Sequence, residues 1–316
     1  MVATQPGCQV PSARVARPGL DNNASVAGST SFARDESLAL HLESLSKRAP
    51  QFLFRVWSAV SGGCPALNTI KAITPAAFLR RDHPVSIHDI PRDQLADLLR
   101  HHILNHRQGD VRTVFSSWSQ SLPMVLSWAR LRVARGEPNV HISVLETKHL
   151  PPTNAVLHAP ALLFLAPEMP LAKCYYEFLI FGPISGPSHK AVPFAAIVHA
   201  GIKRLGPPDM TWPYYCPQKL FTGPSNALAK DGPIAQKVAS LFGARFALAI
   251  TVYIVTMAGR DMLALAGITE ALASCPVPVE WRDDAAIEPG EVELGGVREA
   301  ARAVFVLHML VERAYG

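Results

Sequence analysis

The apolar pattern of the chain changes character near residue 185. Before that point, short aromatic and β-branched runs alternate with polar turns; after it, longer Ala- and Leu-rich stretches dominate. The run Phe52-Leu53-Phe54-Arg55-Val56-Trp57 has the length and aromatic content of a buried strand. Residues 111–117, 140–145 and 177–181 predict three more strands, the last closing at Gly182-Pro183. A helix start is predicted at 74–79, with Thr74 as cap and Pro75 in first position. A second, at 90–93, leads into Leu95, Leu98, Leu99 and Ile103 at helical spacing. Residues 122–135 predict a helix with Pro123 in its first turn and Gly136 as its stop. Farther on, residues 194–205, 227–242, 260–273 and 297–314 predict helices, and the apolar run 246–259 a buried helix or strand. Ser61-Gly62-Gly63 predicts a turn, 206–224 is Pro-rich, and 277–296 is acidic and loop-like. Strands mainly early and helices mainly late argue for an α+β fold instead of alternating βαβ units.

Composition divides the chain further. Residues 1–48, rich in Gly, Ser, Ala, Asn and Pro, are expected to be a disordered N-terminal tail. Residues 49–205 are expected to form the α+β domain and 206–316 a helical C-terminal region. With 316 residues, 49% of them apolar and 17% charged, there is material for one large or two modest cores. The net charge of +5 is scattered, without a Lys/Arg block, which argues against nucleic acid as partner but suits an anionic ligand. Five cysteines without a CxxC pair argue against a disulfide scaffold and a zinc site and fit a reducing compartment. No secretory apolar region follows Met1, and the run 246–259 is too short to span a bilayer. The expectation is an intracellular protein, cytoplasmic or nuclear, without a membrane partner.

Three polar groups interrupt the strand-like runs. Arg55 places a guanidinium inside an aromatic segment, where it needs a partner or a route to solvent. A planar fork of donors there suits a phosphate or ribose. Ser116-Ser117-Trp118-Ser119-Gln120-Ser121 leaves a strand and enters a helix; one of its serines can orient a ligand hydroxyl, and Ser119 or Ser121 can cap the helix. Glu177 heads an apolar strand, so its carboxylate is either held by that strand or simply exposed at its edge. A carboxylate about 4 Å from a developing sugar cation, at an effective dielectric of about 20, gains about 4 kcal/mol, roughly a thousandfold in rate before desolvation is subtracted.

In this order and with these flanks, the segments resemble the arginine–serine–glutamate, cholera-toxin-like class of ADP-ribosyltransferases. Leu53-Phe54-Arg55 is similar to the family's aromatic-flanked arginine on its first strand. Ser117-Trp118-Ser119 ahead of Ser121-Leu122 is similar to its Ser-Thr-Ser motif, and Glu177 before Phe178-Leu179-Ile180-Phe181-Gly182 to its catalytic glutamate. Leu98-Leu99-Arg100-His101-His102 is similar to a helix ending in histidine that often precedes the serine strand. The same blocks also look like an uncharacterised domain common in fungal proteins. The resemblance covers residues 50–195 and implies an ADP-ribosyltransferase-like split β-sheet core with flanking helices. It implies NAD as substrate, Arg55 anchoring it, Ser117 orienting the ribose and Glu177 stabilising the ribosyl cation, with Ser119, Trp118 and Tyr175 lining the cofactor site. A protein acceptor follows for a transferase; none is needed for an NAD glycohydrolase.

Two departures qualify that reading. Trp118 replaces the family's threonine and would either crowd the nicotinamide pocket or wall it. Tyr175 stands where arginine-modifying members carry a second acid, which argues against arginine as acceptor. A catalytically inactive interaction module on the same fold is the alternative. His102 and His106 have metal-ligand spacing but lack the HExxH glutamate and read as a solvated helix face. Ser185-Gly186-Pro187-Ser188-His189 lacks a nucleophile elbow and reads as a loop. There is no Walker or GxGxxG loop.

Overall fold

A computed structural model describes residues 35–61, 67–79, 84–104, 113–169, 174, 177–202 and 228–258. Eight strands are described: β1 (Phe52–Trp57), β2 (Ala72–Ile73), β3 (Phe115–Ser119), β4 (His141–Glu146), β5 (Ala155–His158), β6 (Glu177–Phe181), β7 (Ile184–Ser185) and β8 (His189–Pro193). The helices are α1 (Glu36–Lys47), α2 (Arg92–Leu104), α3 (Leu122–Ala134), α4 (Phe194–His199), α5 (Leu228–Leu241) and α6 (Ala244–Ala258). The α+β class is as expected.

Six strands form one antiparallel sheet in the order β5-β6-β3-β1-β4-β8, and β2 and β7 form a separate ribbon. The central junction is its weakest. β1 pairs with β4 along its whole length, from Phe52↔Glu146 to Trp57↔His141, and β3 pairs with β6 from Phe115↔Phe181 to Ser119↔Glu177. Between β1 and β3 only Phe54↔Ser119 is paired. The sheet is thus two three-stranded halves joined at one rung.

Both faces are buried, which is why β1 reads as a nearly continuous apolar run. On one face, Phe52, Phe54, Ile142, Val144 and Val192 pack with residues of α3, α5 and α6, while Phe115, Ala155, Leu157, Leu179 and Phe181 pack with residues of α1 and α2. On the other, Leu53, Trp57, Trp118, Leu145, Phe178 and Ile180 meet Ile73 and Ile184 of the small ribbon. Residues 228–258 of the C-terminal helical region therefore share the core of the sheet. Arg245 of α6 donates from Nε to Glu146 Oε2 at 2.7 Å, and its Nη2 lies equally close; Glu146, at the end of β4, is buried.

Local chemistry sets the element ends. Ser121 caps α3, its Oγ accepting from Met124 N at 3.3 Å, and Pro123 follows in the first turn. The β6–β7 turn uses Gly182 at φ +90°, where Asn154 Nδ2 donates to Phe181 O and Pro183 O. A Cβ on Gly182 would lie 2.9 Å from that nitrogen.

Several expectations need correction. The proposed tail is not unstructured up to residue 48. Asp35 Oδ1 accepts from Leu38 N at 3.0 Å to start α1, whose Leu38 and Leu42 are buried. Residues 1–34 lie outside the described residues. The segment 74–79 yields only a short 3-10 turn over Ala76–Leu79, and α4 stops at His199. His189, read as loop, opens β8, and β5 was not anticipated. The expected helices 260–273 and 297–314, the stretches 206–224 and 277–296, and Gly62 and Gly63 lie outside the described residues.

Candidate functional site

Beyond the Phe54↔Ser119 rung the two halves part, and Arg55 bridges them. Its pleat position puts it on the face of Leu53 and Trp57. From there Nη1 donates to the main-chain oxygen of Ser117 at 2.5 Å and Nη2 to Asn68 Oδ1 at 3.2 Å. Asn68 is itself buried and anchored, donating from Nδ2 to Ser61 O at 3.2 Å. Arg55 Nε is buried without a hydrogen bond. Burial, and then the charge of Arg132, push the Arg55 pKa down to about 10, with Glu177 pulling the other way. The guanidinium stays charged at neutral pH, and the opposing influence of Glu177 ties the two groups electrostatically.

On the opposite face lie Ser117 and Glu177. The register pairs Glu177 with Ser119, and Ser117 sits two positions back on β3. Between them, α2 delivers His102. Its Nε2 lies 2.8 Å from Ser117 Oγ and 3.7 Å from Glu177 Oε1; its Nδ1 lies 2.7 Å from Thr113 Oγ1. The imidazole packs edge-on to Phe115 with centroids 5.8 Å apart. The His102 side chain is 6% exposed and that of Glu177 13%, so water screens this contact weakly. Thus Arg55 and Ser117 meet through a main-chain oxygen across the parting of the two halves, and Ser117 and Glu177, one strand apart on the other face, meet through His102. Such a set places a cation on one face of the sheet and a hydroxyl and a carboxylate, linked by an imidazole, on the other.

The remaining expected site residues fall elsewhere. Trp118 is buried on the other face, in the core against Phe178 and Ile180; its Nε1 donates to Ser116 Oγ at 2.9 Å. The structure therefore does not bring it to Ser117 and Glu177. Ser119 is buried, its Oγ accepting from Ser121 N at 3.1 Å in the turn before α3. Tyr175 and His106 lie outside the described residues. His102 corrects the solvated-face expectation: it turns into the core of the sheet half, and its place at the end of an apolar helical stripe was the available signal. Asn68 and Thr113 carried no such signal.

A second buried polar group lies across the sheet. Ser143 Oγ accepts from Trp57 Nε1 at 2.8 Å and lies 3.1 Å from His189 Nε2. The His189 pKa is pushed down to about 4, by burial foremost; the Lys71 backbone opposes this and the Arg55 charge adds to it. His189 is neutral at neutral pH, consistent with a structural role beside Trp118, whose ring it meets edge-on.

Compared with known families, residues 48–188 match one described as a domain of unknown function (DUF7587). The matched span contains Arg55, Asn68, His102, Thr113, Ser117 and Glu177. No curated protein matches the chain, and no solved structure does. Among the described residues, no helix is long and apolar enough to cross a membrane.

Proposed function

We propose that the chain is an NAD-dependent ADP-ribosyltransferase or NAD glycohydrolase acting at the parting of β1 and β3. The observation that carries this reading is that Ser117 Oγ and Glu177 share His102 while Arg55 is bonded to the main chain of the same serine. The two-half sheet supports an ADP-ribosyltransferase-like core, since the resemblance implies a split sheet. In this mechanism Arg55 holds the pyrophosphate or its adjoining ribose. Ser117 hydrogen-bonds the nicotinamide ribose. The bond between the anomeric carbon and the nicotinamide nitrogen breaks, its electron pair leaving with nicotinamide. Glu177 stabilises the cationic sugar until water or an acceptor side chain attacks. Tyr175, standing where a second acid is expected, favours water or a non-arginine acceptor.

The test is incubation of the purified chain with NAD, following free nicotinamide and label transfer to protein. Nicotinamide release that falls at least a hundredfold in Glu177→Gln is the expected result. Equal release from wild type and Glu177→Gln refutes catalysis.

One observation favours a non-catalytic module: both terminal nitrogens of Arg55 are already engaged within the protein, by Ser117 and Asn68. Calorimetry separates the readings. Heat on titrating NAD, abolished in Arg55→Met, supports a dinucleotide site; none at millimolar NAD favours the module.

A further inference from the structure

Thr113 has no place in the resemblance and touches neither Arg55 nor Glu177, yet its hydroxyl faces the one histidine that links Ser117 to Glu177. Thr113 Oγ1 lies 2.7 Å from His102 Nδ1. The same oxygen accepts the main-chain N–H of Phe115 at 3.0 Å. Among the described residues, the other acceptor in reach of the hydroxyl proton is Phe115 O, at 3.5 Å, the outer limit of a hydrogen bond. A hydroxyl carries one proton. With a lone pair taken by an amide that cannot act as acceptor, the short contact to Nδ1 is the favourable destination for that proton.

We infer that Thr113 is a positioning residue that donates to His102 Nδ1 and thereby fixes the neutral imidazole as the Nε2–H tautomer, so that Nε2–H is aimed at Ser117 Oγ and Glu177. The orientation is set by main chain, because the Phe115 amide belongs to the first residue of β3, the strand that also carries Ser117. Histidine ring nitrogens take their roles from the partner of the other nitrogen, which is the arrangement here. The consequence rests on the dinucleotide reading. With Nε2–H donating to Ser117 Oγ at 2.8 Å, the hydroxyl proton of Ser117 is released to point at a ligand oxygen. In the opposite tautomer Nε2 would accept that proton, and Ser117 could offer a ligand only its lone pairs. Thr113 thus decides whether Ser117 greets the ribose as donor or as acceptor.

The tautomer is readable without any ligand. Long-range proton–nitrogen correlation spectra of the uniformly nitrogen-15-labelled full chain at neutral pH distinguish pyrrole-like from pyridine-like ring nitrogens, with His102 assigned by its loss in His102→Asn. Wild type is expected to show a protonated Nε2 and a pyridine-like Nδ1. Thr113→Val, of nearly the same shape, is expected to lose that pattern, and Thr113→Ser to keep it. In the nicotinamide assay, Thr113→Val is expected to lower kcat about tenfold, the low end of what losing a group that orients a functional histidine costs, with KM within about twofold. Thr113→Ser is expected to restore it. A wild-type spectrum with protonated Nδ1, or one unchanged in Thr113→Val, overturns the assignment. If wild type releases no nicotinamide but the spectra behave as expected, the dinucleotide reading falls and the positioning role of Thr113 stands.

Discussion

Replacing Arg55 by methionine is expected to leave stability nearly unchanged, although the side chain sits inside the sheet and makes two hydrogen bonds. The pKa of the guanidinium is held at about 10 against an ordinary 12.5, chiefly by burial. That depression corresponds to about 3 kcal/mol of unfavourable environment for the charged form. Against it stand the bonds to Ser117 O and Asn68 Oδ1. The first is short, the second long; together they return about 3 kcal/mol. The opposing contributions cancel to within about 1 kcal/mol, and methionine keeps most of the packed volume. Phe54, one residue earlier and fully buried, provides the contrast. Phe54→Ala should cost about 3–5 kcal/mol through lost burial and a cavity. In thermal unfolding followed by circular dichroism, Arg55→Met should shift Tm by less than about 4 °C, and Phe54→Ala by more than about 6 °C. A loss in Arg55→Met as large as in Phe54→Ala would refute the reasoning. It would mean that Arg55 is a structural bridge between the sheet halves and not a group kept for binding at the expense of stability.

The pair between buried Glu146 and half-buried Arg245 should behave in the opposite way. Arg245→Met strands a buried carboxylate with the His149 ring 3.6 Å away, and should cost about 2–4 kcal/mol in denaturant unfolding; the double variant Glu146→Leu/Arg245→Met should recover at least half of that, and an additive double variant would refute the coupling. His189 sets a pH dependence: its folded pKa, about 4, lies below the ordinary 6.5, so the unfolded chain binds more protons between those values. Its contribution is complete above pH 6.5 and is lost progressively as pH falls toward 4, by at most about 3 kcal/mol; equilibrium unfolding of His189→Gln should lack this share of the slope, and parallel profiles for the two proteins would count against it.

The parts of the fold that could be read in advance were those whose burial is two-sided. β1 and β6 are recognisable because aromatic and β-branched residues fill both pleat directions, and their ends agree with expectation. α3 is equally plain, since its serine cap, early proline and terminal glycine are local signals. β8 is short, begins with a histidine and ends in proline, so its pairing with β4 comes from the sheet and not from its own propensity. α1 was hidden by the composition of the segment before it, although Leu38 and Leu42 have helical spacing. At the site, the order of Arg55, Ser117 and Glu177 was visible along the chain, but the partners that hold them were not. Asn68 and His102 reach Arg55 and Ser117 across 13 and 15 positions, through tertiary packing. Trp118 is instructive: a residue between two serines on a strand must face away from them, and alternation alone argued against placing it beside Ser117.

α1 also has a bearing on how the protein is handled. β5 is an outer strand of the sheet, and α1 lies along it, with Ser46 Oγ accepting the outward amide of Val156 and Leu38 and Leu42 set against Ala155 and Leu157. A truncation that begins at residue 48, where the family match starts, deletes this guard. It bares an unsatisfied strand margin beside greasy side chains, the usual template for intermolecular β-stacking. Expression from residue 35 or earlier retains the sheath and keeps that margin covered.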